Sequence, residues 1–406
     1  MAPHRLEVAD VFREHAAAYV AENGIPADQK RVLRTLAICR TAALGGHVKE
    51  CDRCGHKEFF YKSCGNRHCP KCQASATAKW LQDRAADLLQ THYFHVVFTL
   101  PDKLGPIALQ NKRLVYGILF RAVSETLLEI AKDPKPLGAD IGFLAVLHTW
   151  GQRLDLHPHI HCVVPGGGIS PDGEKWISSG KRFFLPVKVL SRVFRGKFLD
   201  YLRQAYTKGD LSLEGKLSHL KDPAGWEAIL KSVRRTDWVV YSRPPFGSAK
   251  QVLKYLARYT HRVAISNQRL VSLKDGRVTF RWKDYAHGNS EREMALSADE
   301  FIRRFLLHVL PGGFQRIRHY GFLANRVRKD KLELCRALLR ETGHSEAPLA
   351  ADLALLDHDL ARDDGTATDS QVCPACKKGH LVFVRDLTPD RQLAESPLSF
   401  HGIDTS

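Results

Sequence analysis

The sequence has no apolar run approaching the ~20 residues that cross a bilayer, and no basic start leading into an apolar stretch with a small-residue cleavage site. A membrane-spanning or exported protein is therefore not expected; a soluble, cytoplasmic, nucleoid-associated one is. Acidic residues are in short supply, with 44 Asp and Glu against 61 Lys and Arg in 406 residues, a formal net charge of +17. Such a field favours polyanionic partners, nucleic acid above all, with anionic membrane surfaces as a weaker alternative. No recognisable carboxylate constellation is present, which argues against metal catalysis built on acidic ligands. No repeat recurs at a fixed period. With 44% hydrophobic and 26% charged residues, most of the chain can bury a core, and its length allows two or three domains of ~100–200 residues.

What is present is cysteine in pairs. Of ten cysteines, six form C-x2-C pairs: Cys51/Cys54, Cys69/Cys72 and Cys373/Cys376. That spacing suits two thiolates on one metal ion, so a reducing compartment with bound Zn²⁺ is a better reading than disulfides. Fourteen residues separate the first two pairs, close to a two-knuckle zinc site made by Cys51, Cys54, Cys69 and Cys72. The ligand set stays open, because Cys64, His56 and His68 lie within reach. Free or redox-active thiols are the competing reading. Cys373 and Cys376, with His380 nearby, make half a site, either metal-binding, shared with another copy, or vestigial. The basic residues Arg53, Lys57, Lys62, Arg67 and Lys71 either touch phosphate or merely solubilise the module.

Periodicity divides the chain. Residues 1–91 read as helices, from Val8 to Val20 and from Arg31 to Leu44, then the cysteine module and a connecting helix over 76–91. Residues 92–336 read as a compact α+β sheet domain: strands at His95–Leu100, Ile141–Trp150 and His159–Val164, helices at Ile107–Ala131, Val187–Tyr206 and Ala249–Val263, and a hairpin turning at Lys274–Arg277. Charge concentrates here: Lys231 to Arg336 holds 23 basic and 9 acidic residues. Residues 337–370 read as a flexible acidic linker and 371–406 as a C-terminal C-x2-C tail.

Two patterns carry chemistry. In His157-Pro-His159-Ile-His161, alternation along a strand sends His159 and His161 to one face and Ile160, Cys162 and Val164 to the other. Two imidazoles on a rigid strand can hold a divalent cation with positions open to a substrate oxygen, although paired strand histidines are commonly ordinary surface residues. Tyr255 and Tyr259, one helical turn apart, share a face. Lys254, Arg258 and Arg262 beside them suit flanking phosphates. The competing reading is a core stripe of Val252, Tyr255, Leu256, Tyr259 and Val263.

Together CDRCG, SCGNRHCPKCQ, FHVVFTLP, HPHIHCVVPGGG and YLARYTHRVAISNQRL resemble, in the same order and over roughly residues 30–330, the transposases typified by insertion sequence 91, the two-tyrosine rolling-circle group of HUH enzymes. That resemblance implies a ferredoxin-like HUH nuclease domain with an N-terminal zinc-binding module and a basic helical C-terminal extension. It implies Mg²⁺ or Mn²⁺ on His159 and His161. It further implies Tyr255 and Tyr259 as nucleophiles that cut single-stranded DNA, leaving a 5′-phosphotyrosine and a free 3′-OH. The zinc module would help bind the element's ends, and target DNA would be the second partner. A third ligand is not evident; Gln251, one turn before Tyr255, is a candidate. The alternatives are a non-catalytic zinc-dependent DNA-binding regulator and a plasmid replication initiator or relaxase of the same chemical class.

Overall fold

The computed structural model describes residues 5–73, 86–180, 184–246, 252, 263–285, 287–342 and 372–390. Helix α1 (Val8–Asn23) begins with a capping box, in which the Glu7 amide donates to Asp10 (2.7 Å), and ends at Gly24 in the left-handed region (φ 53°). It is followed by α2 (Ala27–Ala37), and the apolar stripe Val8, Val11, Phe12, Ala16 and Tyr19 is buried as its spacing requires.

The centre of the molecule is an antiparallel five-stranded sheet. Strands β3 (Tyr93–Thr99), β4 (Gly142–Trp150), β5 (Leu156–Pro165), β8 (Val240–Phe246) and β12 (Ile317–Gly321) lie in the order β12-β4-β5-β3-β8. Register sorts the side chains. Val146 pairs with His161 and His148 with His159 across β4 and β5, while Val97 pairs with His161 and Thr99 with His159 across β3 and β5. Residues directly opposite share a face, so the intervening Phe94, Val96, Phe98, Phe143, Ala145, Leu147, Ile160, Cys162 and Val164 all point the other way. All nine are in the main core. Helices α4 (Lys112–Lys132) and α5 (Val187–Thr207) cover that face through Leu119, Phe120, Phe194 and Phe198. A short helix α3 (Gly105–Gln110) leads into α4, and α6 (Pro223–Arg234) adds Trp226 and Leu230. At ~1.5–3 kcal/mol for each large buried apolar side chain, this layer anchors β5 by one face.

The basic stretch is not only helical. Strands β9 (Leu270–Lys274), β10 (Arg277–Asp284) and β11 (Ser290–Ser297) make a second antiparallel sheet that leads into α7 (Ala298–Leu307). The expected hairpin is present: Asp275 and Gly276 both have positive φ, 51° and 67°, as a two-residue turn matched to strand twist demands. The N-terminal helices have no core of their own; Phe12 packs edge-on against Phe305 (5.0 Å) in a cluster with Leu33, Leu36, Phe280 and Phe301. The sequence splits these segments by about 250 residues, so periodicity gave no warning of their pairing.

Strands β1 (Gly46–Cys51) and β2 (Lys57–Tyr61) form a hairpin, and β13 (Leu381–Leu387) joins β1 antiparallel on its other side. The described part of the tail, residues 372–390, therefore packs with the N-terminal module through β13. A small hairpin of β6 (Gly167–Ile169) and β7 (Trp176–Ser178) meets α8 (Arg328–Glu341) through Trp176, Leu338 and Leu339. Since α8 continues to Glu341, the expected linker starts later than residue 337; residues 343–371 lie outside the described ones, as do 74–85, most of the expected connecting helix. Among the described residues no helix is long and apolar enough to cross a membrane.

His308, at the end of α7, ties this extension to the central sheet. It is fully buried, with Nδ1 3.2 Å from Thr149 Oγ1 and Nε2 3.2 Å from the Leu154 carbonyl. Burial pushes its pKa down to about 4. The unfolded chain therefore takes up a proton that the folded one refuses as pH falls from ~6.5 towards 4, and stability falls with it. We expect chemical-denaturation midpoints to show a loss on the order of 1 kcal/mol between pH 7 and pH 5.5 from this group. That slope should flatten in His308→Gln.

Candidate functional site

On the face of the sheet opposite the main core, ring nitrogens of His148, His159 and His161 lie within 4.8 Å of one another. Register explains it: His159 and His161 alternate along β5, and His148 sits directly opposite His159 on β4. Ring centroids are 4.7 Å apart for His159 and His161, 4.5 Å for His148 and His161, and 5.5 Å for His148 and His159. His148 and His161 are buried, His159 half-buried. His148 is the residue the sequence reading missed. A histidine at even spacing from the end of a predicted strand was the available signal, but only the β4–β5 register turns it into a neighbour of the H-x-H pair.

Neighbouring groups orient two of the rings. Nδ1 of His161 meets Nε2 of His95 at 2.8 Å, diagonally across β3, and Nδ1 of His159 donates to the His157 carbonyl at 2.6 Å. A hydrogen bond at Nδ1 holds each ring's orientation and leaves Nε2 as the nitrogen that could meet a ligand. The donor set thus fits a divalent cation: three imidazoles, two of them pre-oriented. His148 brings a third imidazole within reach of the same point. Gln251 lies outside the described residues, as do Lys254, Tyr255, Arg258, Tyr259 and Arg262. On this geometry His95→Phe should weaken divalent-cation binding by ~10–100-fold, and His95→Gln, which keeps an acceptor near His161, should restore part of it. Mn²⁺ titration followed by electron paramagnetic resonance reads both.

Trp150, the last residue of β4, stacks on His148 with ring centroids 4.6 Å apart and planes 19° off parallel. Beyond it, Trp150, His308, Phe305 and Arg316 line a small cavity with Val263 and Ala264. Those two residues follow the Tyr255–Arg262 stretch directly in the chain. Val252, three residues before that stretch, is fully buried.

The cysteines form two tetrads instead of the single site expected from Cys51, Cys54, Cys69 and Cys72. Cys39, Cys64, Cys69 and Cys72 make one, with Sγ–Sγ separations of 3.5 Å (Cys39–Cys69), 3.6 Å (Cys39–Cys72) and 3.5 Å (Cys64–Cys72). Cys51, Cys54, Cys373 and Cys376 make the other, with 3.7 Å for both Cys51–Cys376 and Cys54–Cys373. Four sulfurs on one zinc at ~2.3 Å stand ~3.8 Å apart, far outside the ~2.05 Å of a disulfide. Cys64 belongs to the first tetrad and His68 to neither. Burial, with Arg67 and Arg316 alongside, pushes His68 down to about 3. Cys39, just beyond α2, was missed because no second cysteine sits near it in sequence.

Part of the module's basic charge is spent internally. Arg67 donates to the carbonyls of Phe314 (2.6 Å), Pro311 (2.7 Å) and Leu310 (3.1 Å), and Lys71 pairs with Glu7 (2.5 Å). Arg67 thereby ties the first cysteine tetrad to the basic extension and Lys71 ties it to the start of α1, and neither is free for phosphate.

Comparison with known proteins gives this geometry its family. Residues 142–331 match a family model described as "Putative transposase", and residues 11–100 match one described as "Transposase zinc-binding domain". The chain is 54% identical over 379 residues to "Putative transposase y4qJ" of Sinorhizobium fredii, covering 93% of this chain and 94% of that protein. It is 29% identical over 314 residues to the transposase for insertion sequence element IS801 of Pseudomonas savastanoi pv. phaseolicola, covering 77% and 74%. An alignment with the conjugative relaxase TrwC bound to mutant OriT DNA covers 84% of this chain and 97% of that one, but at 16% identity and a TM-score of 0.24 it carries no argument. With a relative so similar along nearly its whole length, and with the family's zinc-binding domain at its N-terminus, the chain belongs to the insertion sequence 91 family of transposases.

Proposed function

We propose that this protein is a rolling-circle HUH transposase, its nuclease domain of the ferredoxin-like type, that nicks and rejoins single-stranded DNA through Tyr255 and Tyr259. The observation that carries the reading is the convergence of His148, His159 and His161 on one face of the central sheet. Val263 and Ala264, which follow Arg262 in the chain, line one cavity with Trp150, which stacks on His148, and this supports it further.

His148, His159 and His161 would hold the divalent cation, which when bound polarises the scissile phosphate and stabilises charge gathering on its oxygens. Three nitrogen donors suit Mn²⁺ better than Mg²⁺, a hard cation that prefers oxygen. A tyrosine hydroxyl, with an ordinary pKa of ~10, attacks poorly until it loses its proton. Its oxygen displaces the 3′ oxygen from phosphorus: one P–O bond forms, one breaks, the phenolic proton passes to a base, and the departing oxygen takes up a proton to become a free 3′-OH. The phosphotyrosine stores the bond, so rejoining by a 3′-OH requires no ATP. Lys254, Arg258 and Arg262 hold the flanking phosphates, and a second tyrosine lets one protein keep two DNA ends. The tetrad of Cys39, Cys64, Cys69 and Cys72 holds structural zinc that shapes the end-binding module.

The test is cleavage of labelled single strands carrying the element's ends. EDTA should stop cutting, and Mn²⁺ or Mg²⁺ added back, with zinc content checked by mass spectrometry, should restore it. Salt-sensitive binding without cutting under any divalent cation would instead point to a non-catalytic regulator.

A further inference from the structure

We propose that the two ends of the chain close on a second structural zinc site, formed by Cys51 and Cys54 from the N-terminal module and Cys373 and Cys376 from the C-terminal tail. The match to the zinc-binding domain spans residues 11–100, so only half of this tetrad belongs to it.

Four observations converge. The sulfurs stand 3.7 Å apart across the two pairs, the edge of a tetrahedron around zinc and not a disulfide. The two turns repeat one backbone scheme. The Cys51 amide donates to the His56 carbonyl (2.9 Å) and the Gly55 amide to the Cys51 carbonyl (3.1 Å); in the tail the Cys373 amide donates to the Gly379 carbonyl (2.7 Å) and the Lys377 amide to the Cys373 carbonyl (2.9 Å). Gly55 and Lys377, each directly after the second cysteine of its pair, both take positive φ, 72° and 56°. A lysine there is strained without a compensating interaction. Amides also point at sulfur from both turns, Arg53 N to Cys51 Sγ at 3.4 Å and Gly379 N to Cys376 Sγ at 3.3 Å, the polarity that favours thiolate.

The turns are also fitted to each other. The Asp52 amide donates to the His380 carbonyl at 3.0 Å, and the His380 amide to Asp52 Oδ1 at 2.8 Å. A Cβ on Gly379 would lie 2.5 Å from Cys51 Sγ, so only glycine admits this approach. From there β13 runs along β1 from Cys51–Leu381 to Gly46–Leu387. This joint buries few apolar residues, chiefly Leu381 with Phe60 packed against it. Val382, Phe383 and Val384 remain exposed. A three-stranded patch with so little core relies on metal for its stability. The physical consequence is that whatever precedes Val372 is tethered at both ends, and the tail acts as a strand of the end-binding module.

Zinc content of the full-length protein tests the proposal, measured in a His161→Ala background so that the histidine cluster does not contribute. About two zinc ions per chain are expected, falling to about one in Cys373→Ser/Cys376→Ser and to about one in Cys64→Ser/Cys69→Ser. As a check that does not depend on the variants folding, a site-specific protease sequence placed after Gly365 lets the tail be cut from the otherwise unaltered chain. The fragment should co-elute with the body until a chelator is added. One zinc in the parent protein, two in the tail variant, or a cut tail that leaves without chelator would each overturn the second site, whether or not the protein cleaves DNA.

Discussion

His148→Ala is expected to weaken divalent-cation binding and single-strand cleavage by at least ~10²-fold, because it removes one of three nitrogens that hold a charge worth several kcal/mol to the transition state. The residue is buried between Trp150 and His161, so truncation also opens a cavity. Thermal unfolding of the metal-free protein must therefore be read alongside. A loss of cleavage with an unchanged metal-free melting temperature, partly recovered at high Mn²⁺, places the defect at the cation. Gln251→Ala is the informative comparison: if His148 completes the ligand set, that variant keeps most of its cation affinity. Equal losses in both variants would mean that the sheet supplies only part of the coordination.

The second large effect concerns the nucleophiles. Tyr255→Phe/Tyr259→Phe should lower covalent attachment to single-stranded oligonucleotides by ~10⁴-fold or more, the scale seen when an enzyme loses its nucleophile. Phenylalanine keeps the ring and removes only the oxygen, so folding and salt-dependent DNA binding should persist. The single variants then separate the roles: if each tyrosine takes one strand end, each alone permits a first cut while strand exchange between two ends fails. Attachment undiminished in the double variant would move the chemistry elsewhere.

Parts of this arrangement were written plainly in the chain. Strand alternation put His159 and His161 on one face and Ile160, Cys162 and Val164 in the core, and the Asp275-Gly276 turn named its hairpin. These are local features, set within a few residues by backbone geometry. What escaped was long-range. His148 becomes a neighbour of His159 only through the register of two strands, and Cys39 becomes a neighbour of Cys72 only through the packing of α2 on the cysteine module. The pairing of Cys51 and Cys54 with Cys373 and Cys376, rather than with Cys69 and Cys72, is the strongest case. Spacing along the chain suggested one two-knuckle site; the return of β13 to β1 across more than 300 residues decided otherwise. The basic stretch was likewise legible as charge but not as a sheet that shares its core with the first helices.

The most direct measurement of the central claim is the incubation of full-length protein with an end-labelled single strand bearing the element's terminus, with and without Mn²⁺, resolved on a denaturing gel. A labelled band at the mass of protein plus DNA, formed only with the cation, absent with duplex of the same sequence, and mapping by mass spectrometry to Tyr255 or Tyr259, is the predicted result. Cleavage that leaves no adduct, or an adduct formed equally well in EDTA, would contradict a histidine-held cation working on a tyrosine nucleophile.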